Sequence, residues 1–167
     1  MDPFEIFGLE PGIEIDEEAL EARYSQLSRE YHPDFNQGLS TDEQIPMLAR
    51  SAELNDAYRL LRDPWSRAEA AVSILDPDAM DSTKELDPAF LMEAMELREE
   101  LEDAASTDWQ CLRDQVEKRV RQYLDNTSSH IHAGQLHDAA TCLHQSNYYR
   151  NALRDLIARI QTADPAL

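Results

Sequence analysis

Cysteine is nearly absent from this chain. Cys111 and Cys142 are single, distant and embedded in helical patterns, so neither a disulfide framework nor a Cys-x-x-Cys zinc site can be built from them, and both are expected to be packing residues. Positive charge is scarce too, with 15 Lys+Arg against 34 Asp+Glu and a net charge of −19. Sequence-independent nucleic-acid binding and attachment to an anionic membrane both need clustered Lys and Arg, so neither is expected. The apolar runs are too short to cross a bilayer. No charged-then-apolar leader opens the chain, because Met1-Asp2-Pro3 leads straight into a folded-looking segment, and a cytoplasmic protein is expected. The four glycines form no phosphate-cradling loop, and no nucleophile motif, repeat or low-complexity tract is present. Nothing in the pattern argues for a strand.

What remains is helix. Pro3 to Phe7 reads as one short helix closed by Gly8. Asp16 is the N-cap of a second, Glu17 to Tyr31, whose Leu20, Tyr24, Leu27 and Tyr31 recur at spacings of four, three and four along one stripe. A third has its main body from about Pro46 to Arg62, with capping boxes possible at Ser40 or Thr41 and with Pro46 expected in a first turn. Leu48, Ser51, Asn55, Tyr58 and Leu61 or Arg62 are expected on its inward side, Tyr58 against the second helix. A fourth runs from about Ser66 to Leu75.

Between the second and third helices lies His32-Pro33-Asp34. Pro33 cannot extend a helix and biases His32 away from the α region. These residues are therefore placed at the exposed tip of a helical hairpin, which suits recognition better than packing.

The clearest break in composition is Asp76-Pro77-Asp78 through Asp87-Pro88, polar and without an apolar stripe. It divides the chain into residues 1–75, a hinge over 76–86, and residues 87–167. Charge does not separate these parts, since residues 1–75 hold six Lys+Arg against 16 Asp+Glu and residues 76–167 hold nine against 18. After the hinge, Asp87 and Pro88 announce a helix reaching about Ala104. The next begins at Thr107 or Asp108, buries Trp109, Leu112, Val116, Val120 and Tyr123 or Leu124, and ends near Gly134. The last carries Leu136, Ala140, Leu143, Leu153, Leu156 or Ile157, and Ile160. Short connections favour antiparallel packing into a three-helix bundle. The fold class expected is all-α.

The helix from Pro88 shows two apolar faces. Phe90, Glu93 or Ala94, Leu97 and Leu101 make one stripe, while Leu91, Met92 and Met95 make another beside Glu96 and Glu99. Only one can serve its own bundle, so the Leu-Met-Met surface ringed by acids is a candidate docking patch.

His32-Pro33-Asp34 with Asp2-Pro3-Phe4-Glu5-Ile6-Phe7-Gly8-Leu9 before it, and Leu54, Asn55, Ala57, Tyr58, Leu61, Arg62-Asp63-Pro64 and Arg67 after it, resembles a J-domain. That resemblance implies a loop that binds a DnaK-type chaperone and triggers its ATP hydrolysis. The addition of an acidic bundle opening on Phe90-Leu91-Met92-Glu93 and continuing Glu96-Leu97-Arg98-Glu99-Glu100-Leu101 extends the resemblance over nearly the whole chain to the HscB family, co-chaperones of iron–sulfur cluster assembly. It implies an N-terminal J-domain and a C-terminal bundle that binds an IscU-like cluster scaffold for delivery to an HscA-like chaperone. Carried over by position, chaperone-facing residues are His32, Pro33 and Asp34 with Arg23 and Arg29. Scaffold-facing residues are Leu91, Met92, Met95, Glu96, Glu99 and Tyr149, with Tyr148 taking the aromatic role if the register slips by one. The family often has a lysine after the tripeptide, where this chain has Phe35 and Asn36, and Glu17, Glu18, Glu21 and Glu30 dilute the basic face of the second helix. Chaperone affinity that is weak or unusually insensitive to salt is expected. The protein is expected to be a monomeric, non-enzymatic adaptor without catalytic group, cofactor or metal.

Two other readings compete. A J-domain co-chaperone could serve a different client through the same patch. His130, His132, His137 and His144 could instead mark a metal protein, but His130 and His132 point nearly opposite ways on a helix, and surface histidines are the better reading.

Overall fold

The computed structural model describes residues 2–31 and 41–163, with residues 41–44 followed by their backbone alone. All regular structure among the described residues is helical, in two compact units, Met1–Leu75 and Asp76–Leu167.

The first unit begins with α1, Pro3–Phe7. Its N-cap Asp2 accepts from the Phe4 and Glu5 amides, and Gly8 closes it at φ 67°, a left-handed conformation suited to glycine. In α2, Glu17–Tyr31, Asp16 Oδ1 accepts from the Ala19 amide at 2.9 Å, so both sequence-derived caps form. Helix α3, Thr41–Arg62, starts more than a turn before Pro46 and holds that proline in its interior. Of its expected inward residues Leu61 is buried and Ser51, Asn55 and Tyr58 are half-buried, and the departure is at Leu48. Leu54, Ala57 and Leu61 are buried while Leu48 is 54% exposed. The buried Leu54 and Leu61, seven apart, share a stripe with Ser51 and Tyr58, and that stripe leaves Leu48 outside. Tyr58 nonetheless meets α2 as expected.

Helix α4, Pro64–Leu75, starts two residues earlier than expected because Pro64 takes the first helical position and Asp63 Oδ2 caps it, accepting from the Ser66 amide at 2.7 Å and the Ser66 hydroxyl at 2.8 Å. Arg67 of α4 is buried and donates Nη1–H to the Leu61 carbonyl at 2.5 Å, in the last turn of α3, where a cation also meets the negative end of the helix dipole. Glu17 approaches its Nη2 at 3.9 Å, and burial lowers the Arg67 pKa.

The segment read as the hinge carries a short helix, α5, Ala79–Ser82, packed against α8 (Leu136–Ala163) within the second unit. Ala79 is fully buried, and His144 on α8 donates Nε2–H to the Met80 carbonyl at 2.9 Å. A buried alanine and one backbone hydrogen bond leave little mark on a polar sequence, which is why composition alone read as linker.

The bundle is completed by α6, Pro88–Asp103, and α7, Trp109–His132. Asp87 Oδ1 caps α6 by accepting from the Ala89 amide. At the end of α7, the Gly134 and Gln135 amides donate to the Ile131 and His130 carbonyls with Gly134 at φ 70°, the paired bonds of a Schellman motif that turn the chain into α8. The core is built from Leu112, Val116 and Val120 of α7 and Ala140, Leu143, Tyr149 and Leu156 of α8, so of the two alternatives Leu156 faces in and Ile157 is 40% exposed. Two polar residues join that core, at positions on the apolar period where their side-chain type hides them. Thr127 and Ser146 are fully buried, each satisfied by its own helix through the Tyr123 and Leu143 carbonyls.

Candidate functional site

Of the first unit's site residues, His32, Pro33 and Asp34 lie outside the described residues. The hairpin that flanks them is well defined. Tyr24 of α2 stacks on Tyr58 of α3, and its hydroxyl donates to Asn55 Oδ1 at 2.8 Å. Arg23 and Arg29 are both exposed on α2, and Arg23 Nη1 donates to Gln26 Oε1 at 3.1 Å. Six residues apart on a helix, the two arginines are separated by roughly 120° around the axis and do not form one basic face.

The second unit's residues are organised by α6, which stands as a ridge on the bundle. Only Phe90 and Leu101 of its sixteen residues are buried. Ala94 and Leu97 are half-buried along the same stripe. On one flank Leu91 and Met95 overlook a groove of about 650 Å³ between α6 and α8, floored by Leu101, Ala152 and Leu156. On the other flank Glu93, Glu96 and Glu100 border a smaller cleft of about 300 Å³ toward Leu112, Val116 and Arg119 of α7. Met92 and Glu99 lie on the crest between them. Leu91, Met92 and Met95 are 38, 65 and 64% exposed, so the second apolar face read from the sequence is open to solvent.

Tyr149 is the exception among the residues expected to face a scaffold. It is only 4% exposed, packed near the rings of Phe90 and Tyr123, so it offers no free surface. Tyr148 is 43% exposed, lines the groove with Leu91 and Met95, and meets the Phe90 ring edge-on. Of the two tyrosines Tyr148 is the exposed one, because the buried stripe Ala139, Leu143, Ser146, Tyr149, Ala152, Leu156 takes Tyr149 into the bundle.

Sequence reasoning missed the polar contacts that hold α6 in place. Tyr149 donates its hydroxyl to Glu93 Oε1 at 2.5 Å, and Arg119 Nη2 donates to the same oxygen at 2.5 Å. The hydrogen bonds from Tyr149 and Arg119 hold the Glu93 carboxyl below the usual range. Burial and the Glu93 bond raise the Tyr149 phenol, and burial pushes Tyr123 up to about 12. At the far end of α6, Arg159 of α8 donates Nη1–H to the Leu101 carbonyl at 2.6 Å. No periodicity points to such contacts, since each joins residues more than 25 apart.

The four late histidines do not converge. His130 pairs with Gln135, His132 donates Nδ1–H to the Ser128 carbonyl, His137 lies 3.5 Å from Asp76, and His144 holds Met80. No group of three or more potential metal ligands is found among the described residues, nor is any described helix long and apolar enough to cross a membrane.

Residues 2–70 match the DnaJ domain model, and residues 86–156 match that of the HSCB C-terminal oligomerisation domain. Over 161 residues the chain is 31% identical to the iron-sulfur cluster co-chaperone protein HscB homolog of Arabidopsis thaliana, an alignment covering 96% of this chain and 64% of that protein. It is 40% identical over 110 residues to the co-chaperone protein HscB of Proteus mirabilis, covering 65% of this chain and 64% of that one. In each case the match spans less than two thirds of the curated relative's length. Among solved structures, the chaperone HscB from Vibrio cholerae superposes with a TM-score of 0.81 at 28% identity, over 97% of this chain and 99% of that one.

Proposed function

Because the chain belongs to the HscB family of J-domain co-chaperones of iron–sulfur cluster assembly, we propose that it is an adaptor for two protein partners, an IscU-like cluster scaffold and an HscA-like DnaK-type chaperone. The bundle binds the scaffold through the α6 ridge, with Leu91, Met92 and Met95 as apolar anchors, Glu96 and Glu99 as charged flank, and Tyr148 across the groove. The tripeptide His32-Pro33-Asp34, aided by Arg23 and Arg29, engages the chaperone and shifts it toward its hydrolysis-competent state. Having both partners on one molecule raises the effective concentration of each near the other. The adaptor brings no catalytic group to the ATP chemistry, works without cofactor or metal, and acts as a cytoplasmic monomer.

One observation carries the scaffold half of this reading. On a single helix, Phe90 and Leu101 are 6 and 7% exposed while Met92 and Met95 are 65 and 64% exposed. A bundle helix that needed only its own core would gain nothing from methionines on its crest, and an apolar anchor set with an acidic border suits a partner with an apolar patch and basic rim. Titration calorimetry against a purified iron–sulfur scaffold protein tests it. One-to-one binding that disappears when Leu91, Met92 and Met95 become alanine is expected, and normal binding by that variant would refute the assignment.

A further inference from the structure

Packing alone fixes the orientation of α6 weakly. Phe90 and Leu101, its two buried residues, sit near opposite ends of the helix. Between them only Ala94 and Leu97 reach partway inward. In that interval one side chain is bonded to both other helices of the bundle. Oxygen Oε1 of Glu93 receives Arg119 of α7 and Tyr149 of α8, and the Arg119 guanidinium also lies 5.7 Å from the centre of the Tyr149 ring. Glu93 is two residues from both Leu91 and Met95, so it points about 160° away from each around the helix axis. Any turn of α6 about its axis that would bring those anchors toward the bundle must break the bonds at Glu93.

The pair is not built for stability. The side chains of Glu93 and Arg119 are 46 and 45% exposed, and ion pairs with that much water contact contribute little to folding. What a three-helix junction supplies is a defined orientation, and a preorganised surface binds more tightly than one that must first be ordered.

We propose that Glu93 is a positioning residue for the docking ridge: by joining α6 to Arg119 and Tyr149 it sets the rotation of the helix, so that Leu91, Met92 and Met95 are presented together to an apolar, basic-rimmed face of a scaffold protein. This rests on the reading of α6 as the scaffold-binding element. It also gives Tyr149 a role distinct from that of Tyr148, acting on the partner through Glu93 and not by touching it.

The test uses the full chain and three variants. Glu93→Ala removes the acceptor, Glu93→Gln keeps one acceptor oxygen without the charge, and Glu100→Ala removes a carboxylate from the same flank of α6. Amide hydrogen exchange of the free protein reads the helix directly, and titration against a purified iron–sulfur scaffold protein reads docking. In Glu93→Ala, exchange across residues 88–103 should quicken while α7 and α8 keep their protection, and scaffold affinity should fall about tenfold, as expected when the competent orientation becomes a minor population. Glu93→Gln should recover part of both losses, and Glu100→Ala should show neither. Alkaline absorbance titration should also show tyrosine ionising at lower pH in Glu93→Ala, since the carboxylate no longer holds the Tyr149 proton. Unchanged exchange in α6 would overturn the proposal. So would weaker binding with unchanged exchange, which would make Glu93 a direct contact, or faster exchange with unchanged binding. If the wild-type chain does not bind the scaffold, the docking reading fails by itself, and the exchange data still decide whether Glu93 holds the helix.

Discussion

Tyr24 and Tyr58 stack with ring centroids 4.0 Å apart and planes 13° apart, joining α2 to α3 on either side of the segment that carries His32-Pro33-Asp34. The Tyr24 hydroxyl adds a hydrogen bond to Asn55 on the same helix as Tyr58. Tyr24→Phe keeps the stack and removes that bond, so it should cost about 1 kcal/mol. Tyr58→Ala removes the stack and should cost about 2–4 kcal/mol. Denaturant unfolding of the full chain checks both, and equal costs would mean that the hydrogen bond, not the stack, holds the hairpin.

Arg67 and Glu17 should separate a buried contribution from an exposed one. Arg67 is buried on the Leu61 carbonyl, whereas Glu17 is 71% exposed at 3.9 Å from it. Replacing Arg67 with methionine leaves that carbonyl without its donor and should cost about 1–3 kcal/mol. Glu17→Gln should change stability by less than ~0.5 kcal/mol. Thermal melts of the two variants decide it.

Binding and stability should also part along α6. The Leu91, Met92, Met95 triple alanine variant should keep its helical circular dichroism and most of its melting temperature while losing the scaffold. Leu101→Ala, at a 7% exposed position, should cost ~2–5 kcal/mol through the cavity it opens. A triple variant that unfolds like Leu101→Ala would place those anchors in the core.

Alkaline pH should destabilise the bundle through its tyrosines. The Tyr123 phenol is pushed up to about 12 in the fold, by burial first and then by the neighbouring Tyr149, and Tyr149 is raised as well. An unfolded tyrosine titrates near 10, so between about pH 10 and 12 the folded state holds the proton that the unfolded state has released. The contribution is therefore complete below pH 10 and is lost as pH rises toward 12. Denaturant midpoints measured across this range should fall for wild type and fall less steeply for Tyr123→Phe.

Much of the fold was legible because its helices begin with chemically explicit signals. Asp16 and Asp87-Pro88 each name an N-cap, and both accept backbone amides as read, while Asp2 caps the first helix without having been singled out. The same signal at Asp63-Pro64 was overlooked in favour of Ser66, although Asp63 caps that helix in the same way. On α3 the expected inward set failed at Leu48 alone, because Leu48 and Leu54 both suit an inward stripe and only tertiary contact chooses between them. The two faces of α6 were legible from periodicity. The Glu93 junction was not, since it depends on how three helices meet, and neither was the choice between Tyr148 and Tyr149, which a rotation of α8 by one residue would reverse.

The ATPase rate of a DnaK-type chaperone, measured alone, with this protein, and with this protein plus an iron–sulfur scaffold, tests the adaptor reading most directly. Stimulation by the protein, increased further by the scaffold, is predicted. His32→Gln and Asp34→Asn should abolish it while changing stability by less than ~0.5 kcal/mol, and the Leu91, Met92, Met95 triple alanine variant should lose only the scaffold-dependent increment. Full stimulation by His32→Gln with an unchanged melting curve, or a rate indifferent to the wild-type protein, would contradict the account.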